Sequence, residues 1–320
     1  MTMTNKELYT EWVKSQPSLP IFLQPWWMEA VCAGREWDVI ITKEEEQIVA
    51  AMPYMVCRKW WMRWIVMPRE TQIGGLWLDE NREFEAEQLT SICNEVNTQL
   101  TEKKLHYFYQ QFAVGSPCPE QFKALGFKVK ERVTYRIDDV TDLDKVIDRF
   151  SKNKKRQLQK ALSLHAEKKF TAEEFYQFHS QCLQKKNKKV SYSREFLLVL
   201  EQKLRKHKQS QILTICNADH VPLAAALLVW DKSRLYYLIP CFDPDYKESG
   251  ASSLLVLEAI KIARELGLSF DFEGSMISGV AKHYKQFGST AATYYSVEKY
   301  YKWWFRFPMF FSWLSNRKYR

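Results

Sequence analysis

Apolar and polar positions along the chain fall into two long passages with the same order of periods. In the first, 37–42 and 48–57 are strand-like apolar runs around an acidic turn at 43–47, and 63–67 predicts a third strand. Helical spacing follows at 83–101, where Phe84, Leu89, Ile92, Val96 and Leu100 share one side. A strand at 105–109, a short helix at 120–125 stopped by Gly126, and a strand at 128–137 complete the passage. The second passage has strands at 212–216 and 223–230 around a turn at 217–220, then a strand at 234–239. An amphipathic helix at 252–266 ends before Gly267; a strand at 270–272, a short helix ending at Phe287 and Gly288, and a strand at 290–297 follow. Helical sequence precedes each set, at 5–33 and at 171–208. Gly126 and Phe127 stand in the first passage where Phe287 and Gly288 stand in the second. This order predicts an α/β (α+β) protein with two tandem domains, each a mixed, mostly antiparallel sheet flanked by helices. Acidic turn residues at 138–144 mark the linker, giving domains of 1–140 and 141–299 and a tail of 300–320.

Charge changes the picture more than composition does. The chain carries a net +9, but 151–211 holds 16 Lys and Arg against 5 Glu, so this one segment supplies the whole basic excess. Lys154, Lys155 and Arg156 form its sharpest run and predict contact with a polyanion: the phosphates of tRNA, coenzyme A or a nucleotide sugar, or an anionic lipid. Seven cysteines, without a C-x-x-C pair, read as reduced, buried thiols of a cytoplasmic protein. The first residues lack the apolar run of a signal peptide, and no stretch approaches the roughly 18 apolar residues of a membrane span. The six histidines, His106, His165, His179, His207, His220 and His283, show no metal-ligand spacing, so no metal is expected. No G-x-S-x-G elbow occurs. Trp26 with Trp27, and Trp60, Trp61 and Trp64, read as packing or as platforms for a sugar or base. The aromatic tail, backed by Arg317, Lys318 and Arg320, suits either a groove on the body or the membrane surface.

The stretch richest in chemistry lies late in the chain. A strand ends at Glu273 and Gly274, and a basic helix then carries Lys282, Tyr284 and Lys285 just before Phe287 and Gly288. This arrangement resembles the core of GNAT acyltransferases. The lysine beside an aromatic, and a basic run at 150–161, resemble more narrowly the Fem (FemABX-like) aminoacyltransferases, which attach amino acids to peptidoglycan precursors. The resemblance implies an acyl- or aminoacyltransferase of the cell wall that forms an amide on an amine, with a precursor or amino sugar as acceptor. Lys285 would then be the cation facing the developing oxyanion, Tyr284 its neighbour, and Glu273 the candidate general base. Tyrosine replaces the family's phenylalanine and the spacing is about one residue shorter, which leaves Lys282 as a rival.

The donor-binding loop of GNAT enzymes would fall on Lys247, Ser249, Gly250, Ala251 and Ser252. The glycine fits that pattern; Lys247 and Ser252 depart from it. The matching stretch at 78–82 is acidic and has no glycine, so the first domain is expected to shape the acceptor side. The resemblance leaves acyl-CoA or aminoacyl-tRNA open as donor. Two other readings also stay open: a coenzyme A-dependent N-acyltransferase of a small amine, and a non-catalytic GNAT-fold protein binding RNA or anionic lipid. In all three the protein is cytoplasmic, with the tail reaching the inner face of the membrane in the lipid-contacting versions.

Overall fold

The structure, a computed structural model, describes residues 3–32, 34–168, 170–274, 276 and 278–306. The chain divides into two compact units, Met1–Arg132 with Thr293–Arg320, and Val133–Ala292. The expected mixture of helices and mostly antiparallel sheet holds in both.

The first unit opens with α1 (Asn5–Trp12) and α2 (Pro25–Cys32). Thr4 and Glu7 close a reciprocal capping box at the start of α1, satisfying amides that the helix itself cannot pair. Strands β1 (Trp37–Glu44), β2 (Gln47–Lys59), β3 (Met62–Val66) and the short β4 (Trp77–Leu78) follow. The middle of β2 is buried without alternation, as expected of a strand covered on both faces. Next come α3 (Ala86–Glu102), which turns Ile92, Cys93, Val96 and Leu100 into the core, β5 (Tyr107–Gln111) and α4 (Cys118–Ala124). Trp60 and Trp61 stack at 5.8 Å on the β2–β3 turn and are mostly exposed, whereas Trp27 and Trp64 are buried.

Strand β6 (Lys128–Ile137) leaves the first unit for the second, where it pairs antiparallel with a later strand. There α5 (Leu143–Asp148), the basic α6 (Lys152–Lys160) and the three-residue β7 (His165–Glu167) precede α7 (Ala172–Gln184) and α8 (Arg194–His207). The predicted helical stretch 171–208 is thus two helices. The break between them contains Asn187, whose φ of +53° no helix accommodates. Strands β8 (Ser210–Cys216), β9 (Pro222–Trp230) and β10 (Arg234–Phe242) lead to α9 (Ala251–Glu265), β11 (Ser269–Asp271) and α10 (Ser278–Lys285). Strand β12 (Thr290–Tyr300) then returns to the first unit and pairs antiparallel with β5, Val297 opposite Gln110.

Strand order in the first unit is β1-β2-β3-β5-β12, with β4 on β2; in the second it is β6-β11-β10-β9-β8-β7. Only β3 with β5 and β10 with β11 run parallel among the described pairs. The predicted order of elements therefore recurs, but the strand after each short helix pairs in the other unit. Residues 133–140 and 293–299 accordingly lie with the unit opposite to the one the acidic linker suggested. The reason is pairing: Ile137 and Arg136 oppose Phe270 and Asp271, and backbone pairing outweighs the local turn signal at 138–144.

All seven cysteines are buried and unbridged. Among the described residues no helix is long and apolar enough to cross a membrane. Of the tail, Trp303–Arg306 forms a 3-10 turn that buries Phe305 against Trp64 and Tyr107. The remainder, including Arg317, Lys318 and Arg320, lies outside the described residues.

Candidate active site

Strands β10 and β11 keep company for only three residues. Arg234, Leu235 and Tyr236 oppose Ser269, Phe270 and Asp271; β11 then ends while β10 runs on to Phe242. At the same point β10 slips register against β9 between Tyr237 and Ile239, a bulge that bends the strand. A parallel pair parting at its carboxyl end is where α/β sheets commonly receive ligands.

Buried polar contacts and backbone turns fix the parting. Asp271 is fully buried; Thr134 Oγ1 donates to it at 2.5 Å, Arg136 Nε at 2.7 Å and the Glu273 amide at 2.8 Å. Glu273 and Gly274 then take left-handed φ values of +62° and +71°, so the chain swings sharply away. A side chain at Gly274 would put its Cβ 2.5 Å from the Val133 carbonyl, so only glycine fits. Phe272, directed inward by this turn, stacks on Tyr284 with ring centroids 4.4 Å apart. Tyr284 is 8% exposed, and burial together with the charge of Glu273 pushes its hydroxyl up to about 12. The fold thus brings Glu273 and Tyr284 together. Lys285 is exposed beside them, its Nζ 5.8 Å from the Tyr135 ring centroid; Lys282, also exposed, lies one turn earlier on α10.

A second cluster, not anticipated from the sequence, centres on Lys154. It does not join Lys155 and Arg156 on a surface; it is 2% exposed. A helix turns about 100° per residue, which sends Lys154 inward while Arg156 remains exposed and Lys155 reaches Asp148 at 3.3 Å. Lys154 Nζ donates to Gln157 Oε1 at 3.0 Å and to Ser253 Oγ at 3.3 Å, and lies 3.2 Å from His283 Nδ1. It also sits 4.6 Å above the Phe287 ring. An ammonium only donates, so His283 Nδ1 must accept and the ring proton belongs on Nε2. Burial lowers Lys154 to about 8, and burial plus the Lys154 charge lowers His283 to about 4.

The expected donor loop has a different character from a phosphate cradle. Asp243 and Asp245 are each held by Lys185 at 2.6 Å, and Lys160 lies 3.8 Å from Glu248. Gly250, at φ +82°, begins α9 with its α-carbon against α6: an added Cβ would lie 2.1 Å from the Gln157 carbonyl. The Ala251 amide donates to Ser249 Oγ at 3.2 Å. Lys247 is exposed and Ser252 half-buried. The glycine therefore serves the packing of α6 on α9, and the three carboxylates make the loop a poor seat for a pyrophosphate.

Residues 124–286, just over half of the chain, match the family described as the acetyltransferase (GNAT) domain, and the chain belongs to that family. A crystal structure of FemX superposes with a TM-score of 0.71 at 14% identity, covering 92% of this chain and 96% of that one. The C-terminal domain of a putative lysylphosphatidylglycerol synthetase from Agrobacterium fabrum gives 0.56 at 13% identity, covering 91% and 92%. A tandem GNAT protein from the clavulanic acid biosynthesis pathway gives 0.52 at 7%, covering 83% of each. At these identities the likeness is one of fold, and at that level the expected Fem-like architecture is borne out. No curated protein matches significantly.

Proposed function

We propose that this GNAT-fold acyltransferase forms an amide by passing an aminoacyl or acyl group to an amine on a cell-wall precursor or amino sugar. The observation that carries the reading is the parting of β10 from β11 at a bulge, with Glu273, Tyr284 and Lys285 grouped where β11 ends. In the proposed reaction the acceptor, as an ammonium, gives up a proton to Glu273; the free amine attacks the donor carbonyl carbon, and its nitrogen loses a second proton as the intermediate collapses. The carbonyl oxygen becomes an oxyanion facing the Lys285 ammonium; the new C–N bond persists as the bond to the donor's sulfur or oxygen breaks, and that atom takes up a proton. Tyr284 shapes the pocket and can donate a hydrogen bond.

Because Gly250 is packed against α6 and the loop before α9 carries Asp243, Asp245 and Glu248, we favour aminoacyl-tRNA over acyl-CoA as donor. The basic segment, with Lys155 and Arg156 on the outer side of α6, would meet its phosphates. The reading keeps the protein in the cytoplasm, with contact to the inner membrane face through 300–320.

Incubating the purified chain with panels of aminoacyl-tRNAs and acyl-CoAs, against nucleotide-linked muropeptides and amino sugars, should yield one amide product detectable by mass. Lys285→Met should slow turnover by about 10²–10³ while donor binding persists, the loss expected when a group stabilising an oxyanion is removed. Full turnover in both Lys285→Met and Lys282→Met would overturn the mechanism. Turnover only with acyl-CoA would reverse the choice of donor.

A further inference from the structure

The fold also assembles a group of side chains that the proposed transfer reaction does not use. His165 and Glu167 are two residues apart on β7, so both project from the same face of that edge strand. His220 is 53 residues further on, in the turn joining β8 to β9. Pairing of β7 with β8, His165 opposite Cys216 and Glu167 opposite Thr214, brings the strand's face to the turn. The turn is itself held: Asn217 Oδ1 accepts from the amides of Asp219 at 3.1 Å and Val221 at 2.9 Å, and His220 takes a left-handed φ of +60°. His165 Nε2 and His220 Nδ1 both converge on Glu167 Oε1, at 2.9 and 2.5 Å. One ligand atom from each residue lies within 4.8 Å of the others.

We propose that His165, Glu167 and His220 bind a divalent transition-metal ion of the zinc type. Two imidazole nitrogens and one carboxylate oxygen are the donor set such ions prefer, and three protein ligands leave a position for water. Bonds of about 2.0–2.2 Å place tetrahedral ligands roughly 3.3 Å apart, so the ion would enter with shifts of under about an ångström. Glu167 is the sheltered member, its side chain 11% exposed, while His220, at 65%, is open to arriving metal. Bound metal would clip the edge strand β7 to the β8–β9 turn. A set of two histidines and one carboxylate also separates this ion from magnesium, which prefers an all-oxygen octahedron.

The test is titration of the untagged protein with ZnCl₂ and, separately, MgCl₂, followed by calorimetry and by metal analysis after gel filtration. One zinc per chain is expected, with no heat from magnesium. His220→Ala, a substitution at an exposed turn, should weaken zinc binding at least tenfold, and Glu167→Gln likewise, while His207→Ala on α8 should leave it unchanged. If the wild type retains no zinc, if magnesium binds equally well, or if His220→Ala and His165→Ala bind zinc as the wild type does, the site does not exist. Circular dichroism on each variant separates loss of ligand from loss of fold.

Discussion

The two units share an order of elements and differ in what they place at the corresponding point. In the first, β3 and β5 pair in parallel at Trp64 with Tyr107 and Ile65 with Phe108, and the space beside them is filled by Phe108, Phe112, Phe122 and Phe127. These rings meet at centroid distances of 5.1–5.7 Å; Lys299 Nζ lies 4.4 Å from the Phe127 ring centroid, and Cys93 and Cys118 pack in the same cluster. In the second, the same region holds Phe272, Tyr284 and Phe287 but is bordered by Lys154, His283, Glu273 and Lys285. The contrast extends to the short helices: α4 offers a surface pair of Lys123 with Glu120 and the buried Cys118, whereas α10 carries two lysines, a histidine and a tyrosine. A repeated fold thus supplies one largely aromatic core and one bordered by more polar groups, and function must be argued from such particular side chains rather than from the repeat.

The two units can be set against each other by experiment. Each has a buried carboxylate bound to a cation: Asp271 with Arg136, and Glu298 with Lys130 at 2.6 Å and the Tyr107 hydroxyl at 3.0 Å. Arg136 is buried, so Asp271→Ala leaves an uncompensated charge in the interior and should cost about 3–5 kcal/mol in denaturant unfolding. Lys130 is 46% exposed and can turn to water, so Glu298→Ala should cost about 1–3 kcal/mol, mainly for the hydrogen bond lost by the buried Tyr107 hydroxyl. Equal losses would mean that the two carboxylates are equivalent and the contrast is mistaken.

Smaller effects should appear with pH. His283 is lowered to about 4, so between its ordinary 6.5 and 4 the unfolded chain binds a proton that the folded chain refuses. Stability should therefore be fully present above about pH 6.5 and fall as the pH drops toward 4. His179, lowered to about 4 by burial, acts in the same sense, so His283→Gln should flatten the acid limb only in part.

Lys154 gives the mildest signal. Its folded value of about 8 lies below the ordinary 10.5, so the charged form is disfavoured in the fold and stability should rise with pH between 8 and 10.5. Lys154→Met should remove that rise and leave stability at pH 7 unchanged or slightly higher. A Lys154→Met variant that loses several kcal/mol at pH 7 would show instead that its hydrogen bonds outweigh the burial of the charge.

What the sequence disclosed and what it hid follow from the range of the interactions. The hairpins, α3, α9, and the halts at Gly126 and Gly288 were legible because periodicity and glycine conformation act over a few residues. The turn at Glu273 and Gly274 that follows β11 was visible for the same reason. Lys154 was misplaced because charge runs invite a surface reading, and only the packing of α6 on α9 turns it inward. The partnership of Asp271 with Arg136 spans 135 residues, and that of His165 and Glu167 with His220 more than 50; neither leaves a local mark. Pairing in β6 and β12 was hidden for the same cause, at greater range.

That long-range pairing bears on how the chain reaches its fold. Tyr107 and Glu298, joined across β5 and β12, are 191 residues apart in sequence, and loops of that length close slowly. During synthesis β5 leaves the ribosome long before β12, and until β12 arrives it presents an open strand edge. The first unit therefore cannot mature ahead of the second, and a fragment ending near residue 132 would lack a strand of its own sheet. The two units are successive in sequence, yet the sheet of the first is completed after that of the second, by β12.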